Sequence, residues 1–303
     1  MVRATILCDN HAAQPGIAPA HGFAALVETA DRRVLFDTGI DARTVSNADT
    51  LGISLSPLDA ILLSHGHYDH VGGLEAILER CGPVPVLCHP DLFRKAYVRD
   101  EHGEVRYIGP PLSREQYAAL GAQFCENLAS GVLGEQMMAV CQGEQGTEPA
   151  RSRQRFLRET ESGLAADAFR EETALAVQAA GTVLVVTGCA HRGPVELLHL
   201  LRGESLRQAP VALLGGLHLG AHRADEVRRL GLRLHALGVT SLLPCHCTTE
   251  CASAVLAESF LGKIGLPGVG SVIEVLSDGT VTLQYPWVPC YSCDPLLCMR
   301  ERK

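Results

Sequence analysis

The sequence predicts an α/β (α+β) fold on three observations. Short apolar runs of strand length alternate with segments whose apolar residues recur at helical spacing. Four of the runs, LDAILL (58–63), GTVLVVTG (181–188), PVALLGG (210–216) and VTSLLP (239–244), are largely apolar, as buried strands are. Residues suited to metal or acid–base chemistry follow or close those runs: His65, Cys189, His218 and His246.

Taken in order, residues 2–8, 23–29 and 33–36 read as strands, the last running into the turn Asp37-Thr38-Gly39. The run 58–63 is the next strand. VGGLEAILERC (71–81) then spaces Leu74, Ile77 and Leu78 for a helix that stops at Gly82, and residues 83–88 form another strand. From 89 to 170 the pattern weakens. LSREQYAALGA (112–122) is a helix opened by Ser113, with Glu115 and Gln116 in its first turn. The polar, glycine-containing stretch GEQGTEPARSRQRFLRETESG (143–163) reads as a surface loop or flap. Pro194 takes the first position of a helix after strand 181–188. Helices over 223–237 and 249–262 alternate with strands 210–216 and 239–247, and an Asp-Gly hairpin in 270–285 ends the fold. Without a fixed-period repeat, this is one domain over 1–288 with an insertion around 123–172, followed by a cysteine-rich tail, 289–303.

Hydrophobic residues make up 47% of the 303 and charged residues 20%, so the chain builds a packed core rather than a disordered one. The net charge of −8 lacks the basic face of a nucleic-acid partner. It leaves a small-molecule substrate, phosphorylated ones included, because a pocket can be positive on an acidic chain. No run approaches 18 apolar residues, so no membrane partner is expected. MVRATILCDN lacks the features of a secretory signal, which points to the cytoplasm. There the twelve cysteines read as thiols, some of them metal ligands, rather than as disulfides. Oligomeric state has no signature in the chain.

LLSHGHYDHVGGL (62–74) crowds three imidazoles and a carboxylate into six positions. Residues two apart on an extended segment point the same way, so His65 and His67 face one metal while Asp69 and His70 face a second. Nitrogen ligands with a carboxylate suit Zn2+, with iron or manganese as alternatives. In the tail, Cys290, Cys293 and Cys298 are a candidate additional metal site, one ligand short unless Cys245, Cys247 or Cys251 joins them.

The His65–His70 motif resembles that of the metallo-β-lactamase superfamily. The resemblance implies a four-layer αββα sandwich with two divalent metals at the strand ends. VLFDTG (34–39) is similar to the superfamily's first motif, in which the aspartate, here Asp37, buttresses the metal loop. TGCAHRGPVELL (187–198), LLGGLHL (213–219), PCHCT (244–248) and the DNH with AHGFAALVET (20–29) narrow the likeness to the dihydropteroate-synthase-like branch. That branch includes the archaeal 7,8-dihydropterin-6-methyl-4-(β-D-ribofuranosyl)aminobenzene 5′-phosphate synthase. By resemblance His246 is the last histidine ligand. Where ordinary superfamily hydrolases end a strand in Gly-Asp, with the aspartate bridging the metals, this chain has Gly188-Cys189, and the usual Pro-Gly-His-Thr motif is absent. Cys189 is a ligand or a small buried thiol, and His191 is the candidate for the missing ligand. His218 is a candidate for substrate binding or proton transfer. His21, Asn10 and Arg192 are candidate substrate contacts, while His89, His199, His222 and His235 read as rim, surface or packing residues, the last three on helices.

The function this implies is a metal-dependent hydrolase using metal-activated water on a phosphorylated or cyclic small molecule, with Asp69 able to accept the proton. Two alternatives remain open. One is a dihydropterin-type transferase or synthase whose metals bind a pyrophosphate leaving group; the other is a non-hydrolytic redox or metal-sensing protein.

Overall fold

A computed structural model describes residues 1–128, 133–141, 155–204 and 209–287. The first half of the chain lays down one sheet. β1 (Val2–Cys8), β2 (Ala24–Glu28) and β3 (Arg33–Phe36) pair antiparallel in succession. After α1 (Arg43–Thr50) the chain turns parallel: β4 (Ala60–Leu62) lies beside β3. The short α2 (Tyr68–Val71), then α3 (Leu74–Cys81), lead to β5 (Val84–Leu87), parallel to β4. A hairpin, β6 (Ala96–Arg99) and β7 (Val105–Tyr107), projects from this sheet before α4 (Arg114–Ala119) returns the chain to β8 (Ala122–Cys125). The expected cap of α4 is present: Ser113 and Gln116 form a reciprocal capping box.

The second half lays down the opposing sheet. β9 (Met137–Cys141) is followed by the pair β10 (Phe156–Thr160) and β11 (Gly163–Ala166), which joins the projecting hairpin. β12 (Thr173–Ala179) and β13 (Thr182–Thr187) are antiparallel. α5 (Pro194–Glu204), β14 (Val211–Gly215), α6 (Ala224–Ala236), β15 (Val239–Pro244), α7 (Glu250–Ser259) and β16 (Lys263–Ile264) then alternate, with β13 to β16 parallel. β17 (Val272–Val275) and β18 (Val281–Gln284) close the first sheet against β1.

Among the described residues three sheets result, ordered β18-β17-β1-β2-β3-β4-β5-β8, β16-β15-β14-β13-β12-β9 and β11-β10-β6-β7. The two large ones face each other across a core that includes Phe36, Leu62, Val186 and Leu214. A second core packs α5, α6 and α7 on the six-stranded sheet, and a third packs α1 and α3 on the eight-stranded one. The layers therefore run αββα, as the resemblance to the metallo-β-lactamase superfamily implies. Both faces of each large sheet are covered, which is why their central strands read as continuous apolar runs instead of alternating ones.

The expectation of a loop or flap across 143–163 needs correction where the residues are described. FLRET is β10, paired to both β6 and β11. Its strand character is masked in sequence because Arg158 is only 7% exposed, so a charge stands where an apolar residue is expected. The charge is tolerated because Arg158 pairs with the buried carboxylates Asp167, at 2.7 Å, and Glu171, and donates to the Asp91 carbonyl at 2.8 Å. His222 likewise lies in a turn before α6, not on a helix. Residues 142–154 and the tail cysteines Cys290, Cys293 and Cys298 lie outside the described residues. Eight free cysteines are described, whereas Cys251 is disulfide-bonded, against the expectation of thiols throughout. Among the described residues no helix is long and apolar enough to cross a membrane.

Candidate metal centre

Parallel strands end together, so the loops that follow β4, β13, β14 and β15 meet at one edge of the sandwich. The loop after β4 carries His65 to His70. Gly72 and Gly73 let it turn into α3, since a Cβ at either would strike the carbonyl oxygens of Ile40 and Thr38. Asp37, at the end of β3, is fully buried beneath this loop. Its Oδ1 accepts the Ser64 amide at 2.7 Å, while Oδ2 accepts the Ser64 hydroxyl and faces His70 Nδ1, each at 2.7 Å. Holding Nδ1 this way turns His70 Nε2 into the cluster, 3.3 Å from Cys189 Sγ and 3.7 Å from Asp69 Oδ2.

The opposing sheet contributes from separate strand ends. Cys189 and His191 follow β13, and both are buried. The Glu172 carboxylate fixes this turn by accepting the His191 and Arg192 amides at 2.5 and 2.8 Å. The Phe169 ring stacks on His191 at 4.0 Å, with 7° between the planes. His218 follows β14, and its amide donates to Cys247 Sγ at 3.2 Å. His246 follows β15; its amide donates to Asp9 Oδ1 at 2.7 Å and its Nδ1 lies 3.1 Å from Asn10 Oδ1. Of the eight non-glycine residues with positive φ among those described, Asp37, Phe169, Ala190, His218, His246 and Thr249 belong to or line this cluster. Such conformations cost on the order of 1–3 kcal/mol each, so the strain in the fold is concentrated here.

Ligand-type atoms converge in four groups, each with its atoms within 4.8 Å of one another: His65, Cys189 and His191; His70, Cys189 and His246; Cys189, His218 and Cys247; His21, Asp69 and His246. Cys189 belongs to three of them. Burial holds His65 well below the usual imidazole range and pushes His67 down to about 3 and His246 to about 4, so these rings stay neutral with lone pairs to donate. His70 is the exception. Burial opposes its charge, but Asp37 and Asp69 outweigh burial and raise it to about 9, so this position attracts positive charge. Burial also disfavours the Asp69 carboxylate, yet His70, His21 and His246 hold it well below the carboxylate range. Burial, then Cys247, lifts Cys189 well above the thiol range. The residues fit a divalent metal on one further observation: His67 Nε2 is buried without a hydrogen bond. His246 Nε2 is buried too, with Asp69 Oδ2 at 3.5 Å but without hydrogen-bond geometry. Each such nitrogen costs about 1–3 kcal/mol unless something coordinates it.

A cavity of about 370 Å³ opens onto the cluster, lined by Asn10, His21, Asp69, Cys189, His191, His218 and His246 among others. His21 stands at its mouth, its side chain 55% exposed, with Nε2 3.2 Å from Asp69 Oδ2. Thus the structure brings together His65, His67, Asp69, His70, Cys189, His191, His218, His246, His21 and Asn10, with Asp37 beneath. Arg192 does not line this cavity; its amide serves Glu172 instead. His89 caps a short 3-10 helix by accepting the Asp91 amide. Sequence reasoning missed Glu172, Phe156, Phe169 and Asp9 as site-shaping residues, whereas Cys247, expected near a metal from its place beside His246, does join the cluster with Cys189 and His218. Asp9 sits in the DNH stretch that drew attention, but Glu172 and the two phenylalanines have no local spacing that marks them.

A family model for the metallo-beta-lactamase superfamily matches residues 18–170, half of the chain, and the protein belongs to that superfamily. Within it, the chain is 26% identical over 268 residues to the 7,8-dihydropterin-6-methyl-4-(beta-D-ribofuranosyl)-aminobenzene-5′-phosphate synthase of Methanocaldococcus jannaschii, covering 84% of this chain and 90% of that one. An uncharacterized protein of the same organism is 27% identical over 271 residues, with 89% and 99% covered. Among solved structures, Tm1679, a metal-dependent hydrolase of the beta-lactamase superfamily, superposes with a TM-score of 0.76 at 29% identity, covering 91% of this chain and 99% of that one.

Proposed function

We propose that this protein is a metal-dependent hydrolase acting on a phosphorylated or cyclic small molecule, with two divalent metals, Zn2+ first among candidates, held by His65, His67, Asp69, His70, Cys189, His191 and His246. The observation that carries the reading is the central place of Cys189, whose Sγ lies within 4.8 Å of the ligand atoms of His65 and His191 in one group and of His70 and His246 in another. That arrangement suits a shared ligand between two ions. Divalent metals supply Lewis acidity that polarises a carbonyl or phosphoryl oxygen and lowers the pKa of water. The chain's own groups do the rest. Asp69 Oδ2 is positioned to take a proton, and His21 Nε2, 3.2 Å away at the mouth, can carry it towards solvent. His218 lines the cavity where a leaving group would need a donor. The Phe156 ring, 5.5 Å from His67, 5.3 Å from His191 and 5.4 Å from His218, keeps bulk water off that side.

Elemental analysis after anaerobic purification without added metal is the first test. About two zinc or manganese ions per chain are expected, and no retained metal after reconstitution would overturn the proposal. A second reading is favoured by one observation, the likeness to a named synthase over 84% of this chain. In that reading the enzyme is a transferase whose metals bind a pyrophosphate leaving group. Reaction in 18O-water separates the two: label in the product supports hydrolysis, and an unlabelled product formed only with an amine acceptor supports transfer.

A further inference from the structure

The six-stranded sheet brings together donors that the proposed ligand set does not use. β14 lies between β13 and β15, all three parallel, so the turns carrying Cys189 and Cys247 leave from strands two apart. That separation is roughly 10 Å. The two thiols meet all the same. Cys189 Sγ, Cys247 Sγ and a ring nitrogen of His218 lie within 4.8 Å of one another. Cys247 is also the hydrogen-bonding neighbour that, after burial, does most to lift Cys189 above the thiol range. To meet, the two loops close over the end of β14, where the chain reads Gly215-Gly216-Leu217-His218. Gly216 leaves them the room, since a Cβ there would stand 2.6 Å from Cys247 Sγ and 3.3 Å from Cys189 Cα.

Backbone bonds fix all three donors. The Gly216 amide donates to the Gly188 carbonyl at 3.1 Å, which ties β14 to the turn of Cys189. On the other side the Leu217 amide donates to the Thr248 hydroxyl at 3.1 Å, and the His218 amide to Cys247 Sγ at 3.2 Å. An amide aimed at sulfur favours the thiolate, which is the form that binds metal. His218 has a φ of 51°, so these bonds, and not its own conformational preference, set it beside the thiols. Cys189, His218 and Cys247 all line the cavity. Three protein donors with a side open to the cavity make an open coordination site.

We infer that Cys189, His218 and Cys247 form a further metal position, a seat of two sulfurs and one nitrogen for a thiophilic cation such as Zn2+, Cd2+ or Cu+. Soft thiolates select such ions over Mn2+ or Mg2+. The groups around His65 and His70 differ in kind, each joining the one sulfur of Cys189 to two imidazoles. Cys189 is the corner common to the seat and the proposed pair, so an ion here draws on the thiolate that the pair shares. It also occupies His218, the donor assigned to the leaving group. A filled seat therefore works against the proposed reaction. That consequence rests on the proposed function; the three donors of the seat do not.

Cadmium-113 NMR tests the seat on the full chain, purified without added metal and then given increasing Cd2+ anaerobically. Each thiolate ligand moves the resonance further downfield, so the number of sulfurs is read directly. Wild type is expected to give a two-thiolate resonance that is lost in Cys247→Ser and displaced in His218→Ala. Before cadmium is added, Cys247→Ser should hold as many ions as wild type, because Cys247 is outside the proposed pair. The seat is overturned if wild type shows no two-thiolate resonance, a result that needs no variant to fold. It is equally overturned if every such resonance survives Cys247→Ser or stays unmoved in His218→Ala. Failure of the functional reading looks different: wild type as purified would hold no metal, yet the Cys247-dependent resonance would persist.

Discussion

The two large sheets deliver their residues to the cluster in different ways. The eight-stranded sheet uses a single loop, His65 to His70, resting on one buried carboxylate, Asp37. The six-stranded sheet uses three separate strand ends, each with its own anchor: Glu172 for the turn at His191, Cys247 for His218, and Asp9 with Asn10 for His246. A contiguous loop should fail as a unit, whereas scattered strand ends should fail one at a time. Cys189 breaks that symmetry, because it belongs to groups that draw on both sheets.

The largest effect is therefore expected at Cys189. Cys189→Ala should take the retained metal from about two ions per chain to below one, measured by elemental analysis, whereas His191→Ala and His246→Ala should each leave about one. Two ions retained in Cys189→Ala would rule out the proposal that Cys189 is a ligand shared by both. Next in size is Arg158→Leu. It leaves Asp167 and Glu171 buried without their cation, next to the segment that carries Phe169 and Glu172 beneath His191. Breaking a buried pair by removing one partner costs about 3–5 kcal/mol, read as a drop in the chemical denaturation midpoint. A change below about 1 kcal/mol would mean that the β10 network is dispensable.

The same contrast explains what could be read from the sequence. The loop of the first sheet is legible because its four ligand-type residues fall within six positions, after an apolar run and before Gly72-Gly73. The αββα layering is legible through the superfamily resemblance that the His65–His70 motif carries, while the pattern itself gives the alternating strands and helices of 181–262. The anchors of the second sheet are not. Glu172 lies 19 residues from His191 and accepts its backbone amide, an interaction that no pattern of side chains announces. β10 escaped because the buried Arg158 breaks the alternation by which strands are recognised. The loss of the usual Gly-Asp pair was visible as Gly188-Cys189, but whether Cys189 faced one group or two depended on the approach of His70 from the other sheet, at 3.3 Å.

Asp37→Asn sharpens the comparison at intermediate size. An amide nitrogen facing His70 Nδ1 favours the tautomer with its proton on Nε2, where a metal needs a lone pair. Metal affinity should fall roughly 10–100-fold, the usual effect of losing such an outer partner, as measured by competition with a chromogenic chelator. Because the whole loop rests on Asp37, this loss should fall on both ions. A loss confined to one ion would show that the loop does not act as a unit.

The smallest effect is expected at Asn10, where two roles compete. From sequence it is a candidate substrate contact, and it does line the cavity. Its amide is nonetheless engaged by His246 on two sides: Oδ1 lies 3.1 Å from Nδ1, and Nδ2 donates to the backbone carbonyl at 3.3 Å. An orienting role predicts that Asn10→Ala weakens one metal by about tenfold or less, and that Asn10→Asp, which keeps the oxygen acceptor for Nδ1, restores most of that affinity. A substrate contact predicts the reverse split: both variants hold metal as wild type does, and KM rises while kcat stays constant. Asp9 already secures the His246 backbone at 2.7 Å, so removing Asn10 frees the ring but not the chain, and the loss should stay small.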